Sequence, residues 1–250
     1  MTKSIPQFYS GTSNLVLPVT KAAFPPAFRD SSRLGYYSSL FNSLEVNSSF
    51  YKTPKAATVA KWAEQVPGNF KFSFKLSKAL THTKGFDFNE DDVAPFMQAI
   101  AAAGTKKGCL LIQLPPSVTI DKLDRLQKLL SLIAWENDDQ WKLAVEFRHS
   151  SWYEKEAYEI LREYHAAIVL HDMPASAPPL FATGEDFVFV RFHGPGGNYR
   201  GTYTDEHLST FAHHIKSWMK RGKTVYFYFN NTIGDAYQNL QTLNSFLLKT

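Results

Sequence analysis

Apolar residues along the 250-residue chain follow two alternating rhythms. Short, nearly continuous apolar runs, rich in β-branched and aromatic residues, recur at 7–13, 43–51, 70–77, 108–115, 142–148, 166–172, 187–194 and 224–230. Each has the length of a strand, and runs apolar on both faces suit strands covered on both sides, as in a parallel sheet. Between the runs the apolar spacing changes to 3.6. Ile120, Leu123, Leu126, Leu129, Leu130 and Ile133 share one helix face, with Thr119 placed to cap it and Asp121 in the first turn. Pro95 sets a helix start near Asp92, and Gly104 closes that helix. Further helices are expected over 32–42, 56–65, 153–164, 204–220 and 232–248. The stretch after the sixth run, MPASAPPLFATGED, is the exception, because its prolines would interrupt a helix.

Strands alternating with helices imply right-handed βαβ units. Eight such units close most simply into a single-domain (β/α)8 TIM-type barrel spanning 1–250, irregular where the helix after strand six is missing or short. A doubly wound open sheet is the competing architecture. The first strand carries the weakest pattern, which leaves room for a partly open barrel.

A barrel of this kind places its chemistry at the C-terminal ends of its strands. Polar residues accumulate there: Glu45 and Asn47, Lys75, Gln113, then Glu146, Arg148 and His149, then His171 and Asp172, Arg191 and His193, and finally Tyr228 and Asn230. Period-2 geometry pairs Glu45 with Asn47, Glu146 with Arg148 and Arg191 with His193, each pair opposite an aliphatic face. His171 and Asp172 have opposite parity, so only one points inward unless the strand has ended. The pair Glu146–Arg148 alone could be a buried structural ion pair. For the whole ensemble a functional cavity is the cheaper explanation, since each unmatched buried charge costs several kcal/mol.

The loop after strand seven, HGPGGNYRGTY, adds Gly194 and Gly196 beside Arg191 and Arg200. Loops in this position commonly hold phosphate through backbone N–H groups. The loop ALTHTKGF supplies His82 and Lys84. Trp62, Trp135, Trp141 and Trp218 are expected to pack helices onto the sheet, and Trp152 is a candidate wall of the site.

Composition narrows the classes. The chain is 44% hydrophobic and 20% charged, a globular balance. Its one cysteine, Cys109, excludes an internal disulfide and fits a reducing, cytoplasmic setting. No run approaches the roughly twenty apolar residues of a membrane span, and the start lacks a signal-peptide core. A net charge of +4, scattered along the chain, makes nucleic acid an improbable partner.

Several of these segments are similar to one known family. EFRHSSW (146–152), QLPPSV (113–118), VRFHG (190–194), YFNN (228–231) and LEVNSSFY (44–51) resemble, in order and over nearly the whole chain, the DUF72 or YecE-like family. The resemblance implies a TIM-type barrel and carries no assigned activity. One segment departs from it: GTSNLVL (11–17) stands where the family pattern has an aromatic-rich Gly-Thr-Ser-Gly-Trp type sequence.

Three functions fit these residues. The first is an enzyme acting on a small anion bearing phosphate or carboxylate. Lys75, Arg148 and Arg191 would bind the anion, Glu45 or Glu146 would be the general base, and His193 or His171 the acid partner. Glu146 beside Arg148 should have a lowered pKa, which favours Glu45 as base. The second is a metal-dependent hydrolase or isomerase with Glu45, Glu146, His171, Asp172 and His193 as ligand types, although no tight spacing such as HxH occurs. The third is a binding module for nucleic acid or protein. No cofactor is required by the sequence, a divalent metal is compatible with it, and no pattern along the chain encodes an oligomeric state.

Overall fold

The computed structural model describes residues 7–138, 140–180 and 186–248. Eight strands alternate with helices: β1 (Phe8–Thr12), α1 (Arg33–Leu40), β2 (Ser43–Val46), α2 (Ser48–Tyr51), α3 (Ala56–Glu64), β3 (Lys71–Lys75), α4 (Lys78–Thr81) and α5 (Val93–Ala101). They continue as β4 (Lys107–Gln113), α6 (Leu123–Asn137), β5 (Lys142–Glu146), α7 (Lys155–Glu163), β6 (Ala166–His171), β7 (Phe187–Phe192), α8 (Asp205–Lys220), β8 (Thr224–Phe229) and α9 (Ala236–Leu248). All ladders are parallel, in the order β1-β8-β7-β6-β5-β4-β3-β2. The result is the expected eight-stranded α/β barrel. Residues 173–180 contain no helix, as the prolines require, while the rest of that expected irregular stretch, 181–185, lies outside the described residues.

Inward and outward strand faces form separate cores. Outward residues such as Phe72, Leu110, Val145 and Phe227 join the helix faces in one large cluster. Inward residues such as Leu111, Ala144, Val169, Phe189 and Tyr226 fill the barrel itself. α6 follows its apolar period, burying Leu126, Leu129, Leu130 and Ile133, while Trp135 on its other face is 87% exposed and packs nothing. That corrects the packing role expected of Trp135. Thr119 leads a short 3-10 turn and its hydroxyl donates to Asp121 instead of capping the helix. α8 is capped by Thr204, whose oxygen accepts from His207 N.

The second strand is shorter than its sequence run. It stops at Val46 and turns into α2, because Ser49 Oγ donates to Val46 O and Lys75 O, each at 2.7 Å. Its partner across the seam is β1, and there the cylinder is nearly open. One bridge, Ser13 to Glu45, joins them, with Asn14 N donating to Glu45 O at 2.8 Å. Lower down, side chains stand in for the missing ladder. Thr12 N donates to the Tyr37 hydroxyl at 2.8 Å, and that hydroxyl donates to Ser43 O at 3.1 Å. Ser10 N donates to Asn42 Oδ1 at 2.9 Å, while Asn42 Nδ2 donates to Phe8 O at 2.8 Å. Gly11 permits this approach, since a Cβ there would lie 2.1 Å from Ser43 O. Among the described residues no helix is long and apolar enough to cross a membrane.

Candidate functional site

At the C-terminal end of the strands, β2, β5 and β7 converge on one buried network. Arg191 is its centre. Its Nε donates to Glu45 Oε2 at 2.8 Å and its Nη2 to Glu45 Oε1 at 2.7 Å, a bidentate grip, while Nη1 donates to Glu146 Oε2 at 2.7 Å. Arg148 Nε donates to the other oxygen of Glu146, and Ser13 Oγ donates to Glu45 Oε1 at 2.6 Å. Every oxygen of both carboxylates therefore accepts a hydrogen bond. Arg191, Glu45 and Glu146 are all wholly buried. Burial opposes the charge on Glu146, yet Arg148 and Arg191 outweigh it and hold that carboxyl well below the usual range. Burial likewise disfavours the Arg191 cation, but Glu146 and Glu45 raise its pKa above that of a free guanidinium.

Above this network lies a histidine with an acidic partner. His193 Nδ1 is 3.3 Å from Asp172 Oδ1, the oxygen that also accepts from His193 N at 2.7 Å. Its Nε2 faces guanidinium donors, Arg148 Nη2 at 3.0 Å and Arg191 Nη1 at 3.2 Å. Donors on one side and a carboxylate on the other assign a neutral ring with the proton on Nδ1. Burial is the main reason its pKa falls to about 4, with the Asp172 hydrogen bond and Glu146 opposing and the two arginines assisting. Asp172 Oδ2 accepts from the Tyr203 hydroxyl, which also receives Gly194 N. The strand ends at His171, so the parity conflict between His171 and Asp172 disappears.

Two cations face the mouth with weak partners. Arg148 Nη1 touches the thioether of Met173 and lies 3.5 Å from the Tyr199 hydroxyl. Lys75 Nζ donates to Gln113 Oε1 at 2.8 Å and sits 4.1 Å from the centre of the Phe50 ring. Burial first, then repulsion from Arg191, lowers the Lys75 pKa to about 8, against the pull of Glu146 and Glu45. His82 closes the same side, its ring 4.7 Å from Phe50 and its Nε2 3.4 Å from Gln113 Nε2. Its pKa drops to about 4 through partial burial and the fields of Lys75 and Arg148.

Other expected site residues have their polar atoms committed locally or stand at the edge of this network; the His171 ring itself packs 5.9 Å from that of His193. His149 is turned aside, its Nδ1 accepting from Ser151 N at 3.2 Å to cap the turn Ser150–Trp152. His171 has both nitrogens committed to backbone: Nε2 to Phe147 O at 2.9 Å, Nδ1 accepting from Met173 N at 3.3 Å. Burial lowers its pKa, and Nδ1, which accepts from Met173 N, carries no proton. Tyr228 lies one inward step deeper, its hydroxyl 2.6 Å from Ser43 Oγ and 2.8 Å from Ser73 Oγ. Asn230 is buried at the end of β8, its N donating to Phe192 O at 2.6 Å. Asn47 Oδ1 is buried beside the mouth with no hydrogen-bond partner among the described residues. In the loop after β7, Gly194 has φ +98° and a Cβ there would lie 2.1 Å from Arg200 O, so its glycine serves the turn. Gly196 is exposed at the tip of that loop, and Gly197 N is used by Gly194 O at 2.7 Å. Trp152 is fully buried behind β5, stacked on Phe147 with Nε1 donating to Val118 O, and walls no cavity at the mouth. Tyr199 and Tyr203 were not singled out by spacing, because loop residues carry no period, and Phe50 was hidden because its run turns into the short helix α2 instead of continuing as strand.

The architecture and the site together define a TIM-type barrel with a buried Glu-Arg-Glu clamp beneath a His–Asp pair. The chain belongs to the family described as "Protein of unknown function DUF72", whose model matches residues 9–249. It is 28% identical over 249 residues to UPF0759 protein YunF of Bacillus subtilis, covering 86% of each chain. It is 28% identical over 119 residues to UPF0759 protein YecE of Escherichia coli, covering 48% of this chain and 42% of YecE. A crystal structure of a DUF72 family protein from Enterococcus faecalis superposes with a TM-score of 0.80 at 20% identity, over 98% of this chain and 96% of the other. A second, from Thermotoga maritima, gives 0.75 at 24% identity over 96% and 99%. The fold extends to SacUVDE, with a TM-score of 0.60 at 10% identity over 96% of this chain and 97% of the other.

Proposed function

We propose that the mouth is an acid–base active site for a small anion bearing carboxylate or phosphate. The observation that carries this reading is the state of Arg148 and Lys75. Both are cations at the rim whose outward donors meet a thioether, a phenol, an amide oxygen and a ring face. Each of these is a poorer partner than an anionic oxygen, so an incoming carboxylate or phosphate gains charge-assisted hydrogen bonds.

His193 supplies the proton chemistry. Asp172 fixes its Nδ1–H and leaves the Nε2 lone pair pointing at Arg148. When Arg148 Nη2 turns to the substrate, Arg191 Nη1 at 3.2 Å is the donor left at Nε2, and a substrate proton competes with that contact for the lone pair. A neutral imidazole at neutral pH is the correct starting state for a base. Glu45 and Glu146, the carboxylates considered as bases from sequence, have all four oxygens engaged and serve to hold Arg191 and Arg148 in place. The reading needs no cofactor; among the described residues no group of three or more His, Cys, Asp or Glu side chains is arranged to hold a metal ion.

A thermal-shift screen of phosphorylated and carboxylated metabolites tests the reading, since ligands that bind the native state raise its melting point. A member of the screen should stabilise the wild type and lose its effect in Arg148→Ala and Lys75→Ala. No shift with any member, or an undiminished shift in both variants, rejects the anion site. Metal analysis of protein purified without chelator separates this reading from a metal-dependent one, which requires near-stoichiometric metal.

A further inference from the structure

The other end of the barrel also carries concentrated charge. Lys71, Lys107 and Lys142 are the first residues of three neighbouring strands, β3, β4 and β5. Lys71 and Lys142 share strand parity with the inward residues Ser73 and Ala144, while Lys107 stands where β4 shifts register against β3; all three line the basal opening. They line a cavity of about 410 Å³ together with Tyr9, Thr224 and Tyr226. That volume lies within the range of small-ligand sites. Its roof is aromatic, the Tyr9 and Tyr226 rings stacking at 5.1 Å.

The charges there are not neutralised. Lys71 Nζ donates to Thr105 O at 2.8 Å, Lys107 Nζ to Gln140 Oε1, and Lys142 Nζ lies 5.0 Å from the Phe187 ring centre. Lys106, next in line, bonds the carbonyls of Val66 and Pro67. All these acceptors are neutral. Among the described residues none of the four lysines has a carboxylate within ion-pair distance. Asp186 lines a neighbouring cavity with Lys142 and Asp138 Oδ2 accepts from Gln140 Nε2 at 3.5 Å, so two described carboxylates stand near the four lysines without pairing with them. The lysines repel one another: partial burial and then Lys106 lower the pKa of Lys71. A purely structural rim would relieve that repulsion with interspersed acids, as the surface pairs of Arg125 and Lys128 with Glu90 do.

We propose that this basal cavity binds a small multivalent phosphate, its oxygens shared among Lys71, Lys107 and Lys142. A multivalent anion is indicated because a single negative charge would leave most of the local cationic field in place. Lysine ammoniums act as point charges and suit tetrahedral phosphate oxygens approached from several sides. The site is separate from the upper one: Lys71 and Lys75 stand at opposite ends of β3, roughly 13 Å apart at about 3.3 Å per residue.

Inorganic pyrophosphate is the probe, titrated calorimetrically at low and moderate salt. Wild-type protein should bind saturably, and Lys71→Gln/Lys107→Gln/Lys142→Gln should remove one equivalent or weaken it at least tenfold. Arg148→Ala and Lys75→Ala, which remove the upper cations and any binding at the mouth, should retain the equivalent that the lysine variants lose. If the triple variant does not fold, Lys107→Gln and Lys142→Gln singly should each weaken binding severalfold. Unchanged affinity in the lysine variants, or loss of binding in Arg148→Ala with retention in the triple variant, overturns the basal site. Absence of saturable binding to wild type overturns it as well.

Discussion

Arg191 on β7 holds Glu45 on β2 through two parallel hydrogen bonds of 2.8 and 2.7 Å, across the interior of the barrel. β2 has a full ladder only with β3, and its other edge meets β1 through a single bridge. The Arg–Glu clamp therefore ties a weakly held strand to the opposite wall. It fastens the mouth as well as furnishing it with charge.

Replacing Glu45 with Ala leaves Arg191 buried with half its partners removed. Breaking one side of a buried pair costs about 3–5 kcal/mol. Urea denaturation should show a midpoint lowered accordingly. A midpoint close to wild type would mean that the clamp contributes nothing to closure.

Tyr37 makes a second fastening. Its buried hydroxyl accepts from Thr12 N and donates to Ser43 O, bridging β1 and β2. Tyr37→Phe keeps the ring but leaves Thr12 N–H buried and unsatisfied, at a cost of about 1–3 kcal/mol. Hydrogen exchange at Thr12 should accelerate in step with the loss of stability. Protection unchanged at that amide would refute the bridging role.

Anion binding at the mouth should depend on pH through Lys75. Its ammonium, with a pKa lowered to about 8 chiefly by burial, is charged below that value and neutral above it. Affinity for a carboxylate or phosphate ligand should be highest below pH 8 and decline as pH rises through it. A bound anion favours the charged form, which moves the decline upward. Lys75→Arg, charged throughout, should remove the decline; its persistence would assign it to another group.

Acid stability should carry the mark of His193. In the unfolded chain a histidine takes up a proton near pH 6.5, whereas the buried His193 does so only at about 4. Between those values the unfolded state binds more protons, so stability is lost as pH falls through this window and is flat above it. His171 and His82 add to the same trend, since burial lowers both. His193→Gln should reduce the difference between melting temperatures measured at pH 7.5 and 4.5. An undiminished difference would place the acid sensitivity elsewhere.

Much of this molecule was legible in its sequence because a barrel strand is a local pattern. Apolar runs marked all eight strands, and parity put Glu146 with Arg148 and Arg191 with His193 on inward faces. Pairing across the interior was not legible. Nothing local says that Arg191 reaches Glu45, 146 residues away in sequence. Asp172 was ambiguous for a local reason, since the strand ends one residue earlier and parity no longer governs its direction. His149 and His171 looked like site residues by composition, yet neighbouring backbone groups take their ring nitrogens. Tyr199 and Tyr203 come from a loop and Phe50 from the one-turn helix α2, where side-chain direction is set by tertiary contacts.

The thin β1–β2 seam also bears on how the chain assembles. β1 finds its only full ladder with β8, the last strand to leave the ribosome. A nascent chain can stack β2 through β7 in order of synthesis, but its first strand must wait for more than 200 further residues before it has a mate. Sealing the cylinder is thus a late event, and removal of β8 should expose β1 first.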